Sequence, residues 1–343
     1  MKPKNLFLIF LLFLVACGAA NTQSSIVNVN VGTSGLVAEF SKNAPPAKVF
    51  TQSAFPIAVK IRNAGAYSIE GNSGLLSMGF EKDYIPSIKF DSSNGVYQPN
   101  ENNAAFSING KIQLNQNGGE IFISATAKTG NLEEQSESKT SLLTATLCYP
   151  YKTILSATMC IDPDVVGLRP GKKVCEVKDI ALSNGQGAPV AITKIEPVMV
   201  PEVDNENIRP QFLIYVENKG NGISVDNLRY KNVCDRKDNP NTNFQKDNIW
   251  NVASVKAFSS GKNGEVQLQC CPNKEGECAE KETNPNLEGF LRFRDNKDFI
   301  RCTFTEPVPR NFDAYTSPLR IEVNYGYIQT VTSNVLLQKP LSH

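Results

Sequence analysis

Apolar and polar residues alternate along much of this chain. Ile26-Val27-Asn28-Val29-Asn30-Val31 has the two-residue period of a strand that buries one face. The same period recurs over Phe55–Ile61, Phe106–Leu114, Glu120–Ala127, Leu142–Leu147, Phe212–Val216, Val266–Leu268 and Leu319–Val323. Clusters of Asn, Gly and Pro lie between these stretches and read as turns. Long stretches with the 3.6-residue period of an amphipathic helix are lacking, so the pattern predicts an all-β chain. A strand with one apolar face must bury it against a second layer, and many short strands suit β-sandwiches. A barrel or a solenoid is the alternative.

The pattern also repeats. Asn63-Ala64-Gly65 follows one apolar strand and Asn218-Lys219-Gly220 follows another, a shift of 155 residues that also matches Ile57 with Phe212, Val59 with Ile214 and Ile61 with Val216. Near the end of each half, Tyr149-Pro150-Tyr151 matches Tyr325-Gly326-Tyr327 at a shift of 176, with Leu155 opposite Val331 and Met159 opposite Val335. The expected division is a signal peptide at 1–16, a lipidated tether at 17–25, a first β-sandwich domain at 26–165 and a second at 166–343. The second copy carries about 20 extra residues and most of the cysteines. A hydrophobic strand followed by Asn-x-Gly resembles a segment of immunoglobulin-like and CARDB-like cell-surface modules, which implies tandem immunoglobulin-like sandwiches. GTSGLVAEF, NAPP and NAGAY are similar to stretches of uncharacterised archaeal surface proteins, a resemblance that implies no particular activity.

The first residues have a different character. Lys2 and Lys4 precede Leu6–Ala16, eleven residues that are apolar without a break, the layout of an export signal. As a helix they would rise about 16 Å, well short of a hydrocarbon core of roughly 30 Å. The segment closes as Leu14-Val15-Ala16-Cys17-Gly18. LVAC resembles the lipobox of prokaryotic lipoproteins, whose precursors receive a diacylglyceryl thioether on the cysteine and are then cut just before it. That resemblance implies lipidation at Cys17, membrane lipid as a partner, and a chain held at the cell membrane on its extracytoplasmic side. Two acyl chains hold a soluble body stably. Cleavage after Ala20, releasing a soluble protein, is the alternative.

Charge adds little, because 35 Lys and Arg balance 34 Asp and Glu and give no electrostatic case for a nucleic-acid partner. Cysteine adds more. Setting Cys17 aside leaves an even set of eight in an exported chain: Cys148, Cys160, Cys175, Cys234, Cys270, Cys271, Cys278 and Cys302. Structural disulfides are the expectation. The second-half positions matching Cys148 and Cys160 are Asn324 and Leu336, and loss or gain as a pair favours a Cys148–Cys160 bridge across a Tyr149-Pro150-Tyr151 turn. Cys271 with Cys278 is one local pairing for the second half, leaving Cys175, Cys234, Cys270 and Cys302 for longer links. Buried free thiols, metal thiolates and a reactive thiol are the alternatives.

Catalysis finds little support. The single histidine is His343, the last residue, where an oriented base is poorly placed. No G-x-S-x-G, P-loop or G-x-G-x-x-G run occurs. GNSG at 71–74 and Asn184-Gly185-Gln186-Gly187 read as turns. Candidate carboxylate pairs are Glu81 with Asp83 and Asp162 with Asp164, and Asp204, Glu206, Asp235 and Asp238 are hard oxygen donors suited to calcium in a loop. Tyr149, Tyr151, Tyr325 and Tyr327 form either a binding platform or a packed pair at each strand end. The expectation is therefore a non-catalytic, lipid-anchored adhesion, binding or envelope-architecture module, with no cofactor or metal. Its partners would be a surface protein or glycan, with self-association through the edge strand Ile26–Val31. The alternative is an extracytoplasmic carboxylate-dependent hydrolase or a solute-binding lipoprotein.

Overall fold

The computed structural model describes residues 28–91, 96–100, 103–234, 249–261, 264–272 and 287–340. The chain is all-β, built from several antiparallel sheets. The first half contributes β1 (Leu36–Phe40), β2 (Lys48–Phe50), β3 (Ala54–Asn63), β4 (Ile69–Gly79), β5 (Ser87–Phe90), β6 (Val96–Asn100), β7 (Asn103–Ile108), β8 (Glu120–Lys128) and β9 (Ser138–Ile161). The second half begins with β10 (Ile180–Ala181), β11 (Val190–Pro201), β12 (Asn207–Asn218), β13 (Ile223–Val225) and a short helix, α1 (Tyr230–Cys234). It continues with β14 (Val252–Gly261), β15 (Gly264–Gln267), β16 (Gln269–Cys271), β17 (Gly289–Arg292), β18 (Lys297–Thr303), β19 (Val308–Pro309) and β20 (Tyr315–Gln338).

Alternation decides which residues enter the core. Along β3 the inward positions are Phe55, Ile57, Val59, Ile61 and finally Asn63, while Lys60 and Arg62 stay at the rim. β12 repeats the plan with Ile208, Phe212, Ile214, Val216 and Asn218. Each such apolar side chain contributes about 1.5–3 kcal/mol on burial, before the entropy cost of ordering the chain.

A four-stranded sheet, β1-β3-β8-β5, forms one layer of the first half, and a six-stranded sheet, β10-β11-β12-β18-β16 with β19, forms one layer of the second. Both pack against one ten-stranded sheet whose main path is β15-β14-β20-β9-β4-β7-β6. At its centre the two 24-residue strands β9 and β20 pair antiparallel over their full length. Pro150 pairs with Gly326, its own equivalent at the 176-residue shift, and Tyr149 pairs with Tyr327 and Tyr151 with Tyr325. A residue facing its own repeat equivalent lies on a local two-fold axis, so the duplication appears in space as rotation about the Pro150–Gly326 pair.

The pairing crosses the expected 165/166 boundary in both directions. The carboxyl half of β20 runs into the first sandwich, where Lys48–Phe50 pair parallel with Leu336–Gln338 and Val335 and Leu337 are buried. The carboxyl half of β9 runs into the second, where Met159 and Ile161 are buried and Thr153 donates to the Val190 carbonyl at 2.5 Å.

Two expected strands differ. Within Ile26–Val31, residues 28–31 are irregular, and the first strand among the described residues begins at Leu36. The chain is instead drawn onto the second half, where the Gly32 amide donates to the Asn184 carbonyl at 2.7 Å and the Gly187 amide to the Gly32 carbonyl at 2.8 Å. The strand expected over Phe106–Leu114 ends at Ile108, because the chain turns at Gly110 to bring the Lys111 amide to the Gly65 carbonyl. A Cβ on Gly110 would lie 2.5 Å from the Ala66 carbonyl oxygen, and Leu114 is left 97% exposed.

Candidate functional site

The four tyrosines do not form an outward platform. They are among the largest fully buried side chains, each at most 1% exposed, and their rings contact one another within each strand and across the two-fold at centroid distances of 5.7 to 6.3 Å. Their hydroxyls have defined partners. Tyr151 donates to Asn63 Oδ1 at 3.1 Å, and Asn63 also receives the Gly65 amide and donates to the Tyr67 carbonyl. Tyr327 donates to Asn218 Oδ1 at 3.1 Å, and Asn218 receives the Gly220 amide and donates to the Gly222 carbonyl. The two recurring motifs, separated by different shifts in the sequence, therefore meet as one corner in each half.

Glycine is required in both corners by close approach. A Cβ at Gly65 would fall 2.0 Å from Tyr151 Oη, and one at Gly220 would fall 2.2 Å from Tyr327 Oη. Tyr149 and Tyr325 accept backbone amides from Leu36 and Val190, each at 3.3 Å. Burial raises the hydroxyl pKa of all four tyrosines, that of Tyr327 to about 12, so they stay neutral donors and acceptors.

The disulfides differ from the local expectation. Cys148 bonds Cys234, Cys160 bonds Cys175, and Cys270 bonds Cys302. A Cys148–Cys160 bridge is excluded by the strand itself. Tyr149-Pro150-Tyr151 is mid-strand rather than a turn, and twelve residues of extended chain span about 40 Å, against a limit of about 7 Å between bridged Cα atoms. Proline is tolerated there because β4 pairs with β9 only as far as Cys148, and among the described residues no other strand pairs with that edge beside Pro150 to need its missing amide. The proposed Cys271–Cys278 pair, like the lipidation site Cys17, involves a residue outside the described ones.

The Cys148–Cys234 bond fastens α1 to the outer face of the shared sheet. There Tyr230, Val225, Leu75, Ala105 and Ile328 make a second small apolar cluster, and Tyr230 donates to the Ser73 carbonyl at 2.8 Å. Gly326 provides the room, since a Cβ would sit 2.5 Å from Tyr230 Cβ.

Beside that cluster lies a polar cleft of about 400 Å³, lined among others by Lys152, Asp226, Asn227, Lys256, Glu288, Glu322 and Asn324. These come from β9, β14, β20 and the segments before α1 and β17. Glu322 lies 3.1 Å from Lys152 and also pairs with Arg320, while Glu288 lies 3.9 Å from Lys256. Each of these carboxylates therefore has a cation beside it. The alternation of β9 and β20 marks their outward residues as polar, but nothing in the sequence joins them to Asp226 or Glu288.

The carboxylates singled out from the sequence lie elsewhere. Asp162 and Asp164 are brought together, but by Lys173, whose Nζ lies 2.6 and 3.1 Å from them. The Arg169 amide, then Lys173 and the Leu168 amide, hold the Asp164 carboxyl down at about 2. Asp204 takes the Glu206 and Asn207 amides and the Asn207 side chain, an Asx turn that lowers its pKa. Asp235 and Asp238 lie outside the described residues. Among the described residues no group of three or more His, Cys, Asp or Glu is placed to hold a metal ion, and no helix is long and apolar enough to cross a membrane.

No family model matches the chain, and neither does any curated protein. Among solved structures, the chain aligns with the C-terminal domain of the Streptococcus agalactiae AgI/II polypeptide BspA at 9% identity, covering 89% of this chain and 100% of that one, with a TM-score of 0.20. It aligns with a partial N-terminal region of an enterococcal surface protein at 6% identity, covering 92% and 96%, with a TM-score of 0.19. The B domain of a biofilm associated protein gives 10% identity, 91% and 87% coverage and a TM-score of 0.16. Likenesses at these scores carry no argument, and the all-β assignment rests on the strands of this chain itself.

Proposed function

We propose that the chain is a surface module held at the membrane by a lipid on Cys17, and that it works by presenting a rigid binding face rather than by catalysis. The observation that carries this reading is the construction of the body. Two sandwiches share one sheet, exchange strand halves and are pinned by disulfides, which gives a stiff support on which loops carry specificity. The disulfides agree with an oxidising, extracytoplasmic setting.

Mass spectrometry of the mature chain tests the anchor. A diacylglyceryl-modified Cys17 at the amino terminus is expected, and an unmodified Asn21 start overturns it. Binding of the purified body to intact cells or to a glycan array, with no turnover of the bound species, is the expected readout for the module.

The polar cleft supports a second reading, a solute-binding lipoprotein, because cations and carboxylates converge there on a space of about 400 Å³, within the range of small-molecule sites. A small charged solute that protects the body against thermal unfolding, with protection lost in Lys152→Ala and Asn324→Ala, would favour it.

A further inference from the structure

Among the described residues, the carboxyl part of β9 pairs with β20 alone, since its pairing with β4 ends where Cys148 meets Leu75. Its other edge is therefore a row of backbone groups with no strand beside it. The side chains record the gap. Thr153 and Met159 at the ends of this stretch are buried, whereas Leu155 and Ala157, which point to the same inward face, are only half-buried although they pack against the main core. Inward-pointing apolar residues left half-covered mark a layer that is one strand short.

A cleft of about 380 Å³ lies along this edge, bounded by Ile154–Ser156, by Ala181–Gln186 and by Asn28, Asn30 and Val31 of the chain's own amino-terminal segment. That segment belongs to the alternating run Ile26-Val27-Asn28-Val29-Asn30-Val31. It lies beside the edge without pairing as a strand, and it is clamped just beyond, where Gly32 bridges Gly185. The run has the pattern the edge lacks. Laid along β9, Val27, Val29 and Val31 would cover Leu155 and Ala157, while Asn28 and Asn30 would face water beside Ser156 and Thr158.

We propose that the open edge of β9 accepts an extended strand formed by residues 24–31 of a second copy. Each copy carries one donor run and one acceptor edge, so reciprocal exchange closes a two-fold dimer by strand addition. The inference does not depend on the anchor or on the binding role proposed above. Main-chain hydrogen bonds supply the attraction, and the alternation of the run supplies the register.

Sedimentation velocity of the mature full-length chain over a range of concentrations tests it. The wild type should move reversibly from monomer to dimer. A donor variant, Val27→Asp with Val29→Asp, and an acceptor variant, Leu155→Lys, should each remain monomeric, and a mixture of the two should recover a heterodimer, because one intact donor then meets one intact acceptor. Should Leu155→Lys fail to fold, the donor variant, whose edge is untouched, should bind a labelled peptide of residues 24–33, and a Val27→Asp, Val29→Asp peptide should not. A wild type that is monomeric at every concentration overturns the proposal. So does a dimer that survives the donor substitutions, or a donor variant that ignores the peptide.

Discussion

The two halves make the same corner from the same residue types, yet they are finished differently. In the first, Asn63, Gly65 and Tyr151 meet around a hydroxyl that also lies 3.4 Å from the Gly187 carbonyl, so a loop of the second half seals it. In the second, Asn218, Gly220 and Tyr327 meet around a hydroxyl that accepts the Gly222 amide from its own loop at 2.8 Å. The first half has no disulfide of its own among the described residues. Both of its cysteines reach forward, Cys148 to Cys234 and Cys160 to Cys175, whereas Cys270–Cys302 lies wholly within the second half. The corner is thus the common structural requirement, whereas none of these disulfides recurs in both halves.

The largest effect should come from breaking the corners. Tyr151→Ala and Tyr327→Ala should each cost about 3–5 kcal/mol, the range for losing a buried aromatic ring. The phenylalanine variants should cost about 1–3 kcal/mol through the partners left unsatisfied. Denaturant unfolding measures both, and Tyr151 should be the costlier site because its corner also seats the neighbouring half. Equal, small losses at the two sites would dissolve the comparison.

Next comes the paired substitution Cys148→Ser with Cys234→Ser. The bond closes 86 residues of separation, and typical disulfides contribute about 2–4 kcal/mol. The expected result is lower thermal stability together with increased amide exchange in α1 and at the Cys148 end of β4. Loss of Cys270–Cys302 should instead be felt at β16 and β18. Exchange that rises equally everywhere in both variants would contradict the separate roles.

The smallest effect concerns the loop between the halves, where Arg169 also donates to the Phe312 carbonyl at 2.6 Å. The Asp164 carboxyl is held at about 2 when folded, below its ordinary value near 4. Stability from a depressed carboxyl is present above the unfolded value and lost as pH falls through the folded one. The melting-temperature gap between wild type and Asp164→Asn should therefore be full at neutral pH and should narrow between about pH 4 and 2. A gap that is constant with pH would remove Asp164 from the account.

Much of this arrangement was legible before any coordinates. Asn-x-Gly and Tyr-x-Tyr each recur, and the alternation of β3 and β12 places matching residues in the core because the period of two admits only one inward set. What escaped was continuity. Pro150 read as a turn residue because proline removes a ladder donor, and only the end of the β4–β9 pairing at Cys148 shows why it is tolerated mid-strand. That reading, together with the shared absence of both cysteines from the matching positions of the second half, gave Cys148 the wrong partner. Run Ile26–Val31 has a strand's pattern, but the contacts at Gly32 hold the chain against the second half instead. The polar cleft escaped for another reason, since its residues are gathered from segments between Lys152 and Asn324 that only the fold brings together.

The exchange of strand halves also bears on how this molecule comes into being. Val335 and Leu337 complete the interior of the first sandwich, and they are nearly the last described residues to be synthesised. The first sandwich cannot close when residue 165 has emerged; it must wait for Val335 and Leu337. Folding one half at a time, the usual economy of tandem domains, is thus closed to it, and contacts as distant in sequence as Val49 with Leu337 predict a slow, late, all-at-once transition.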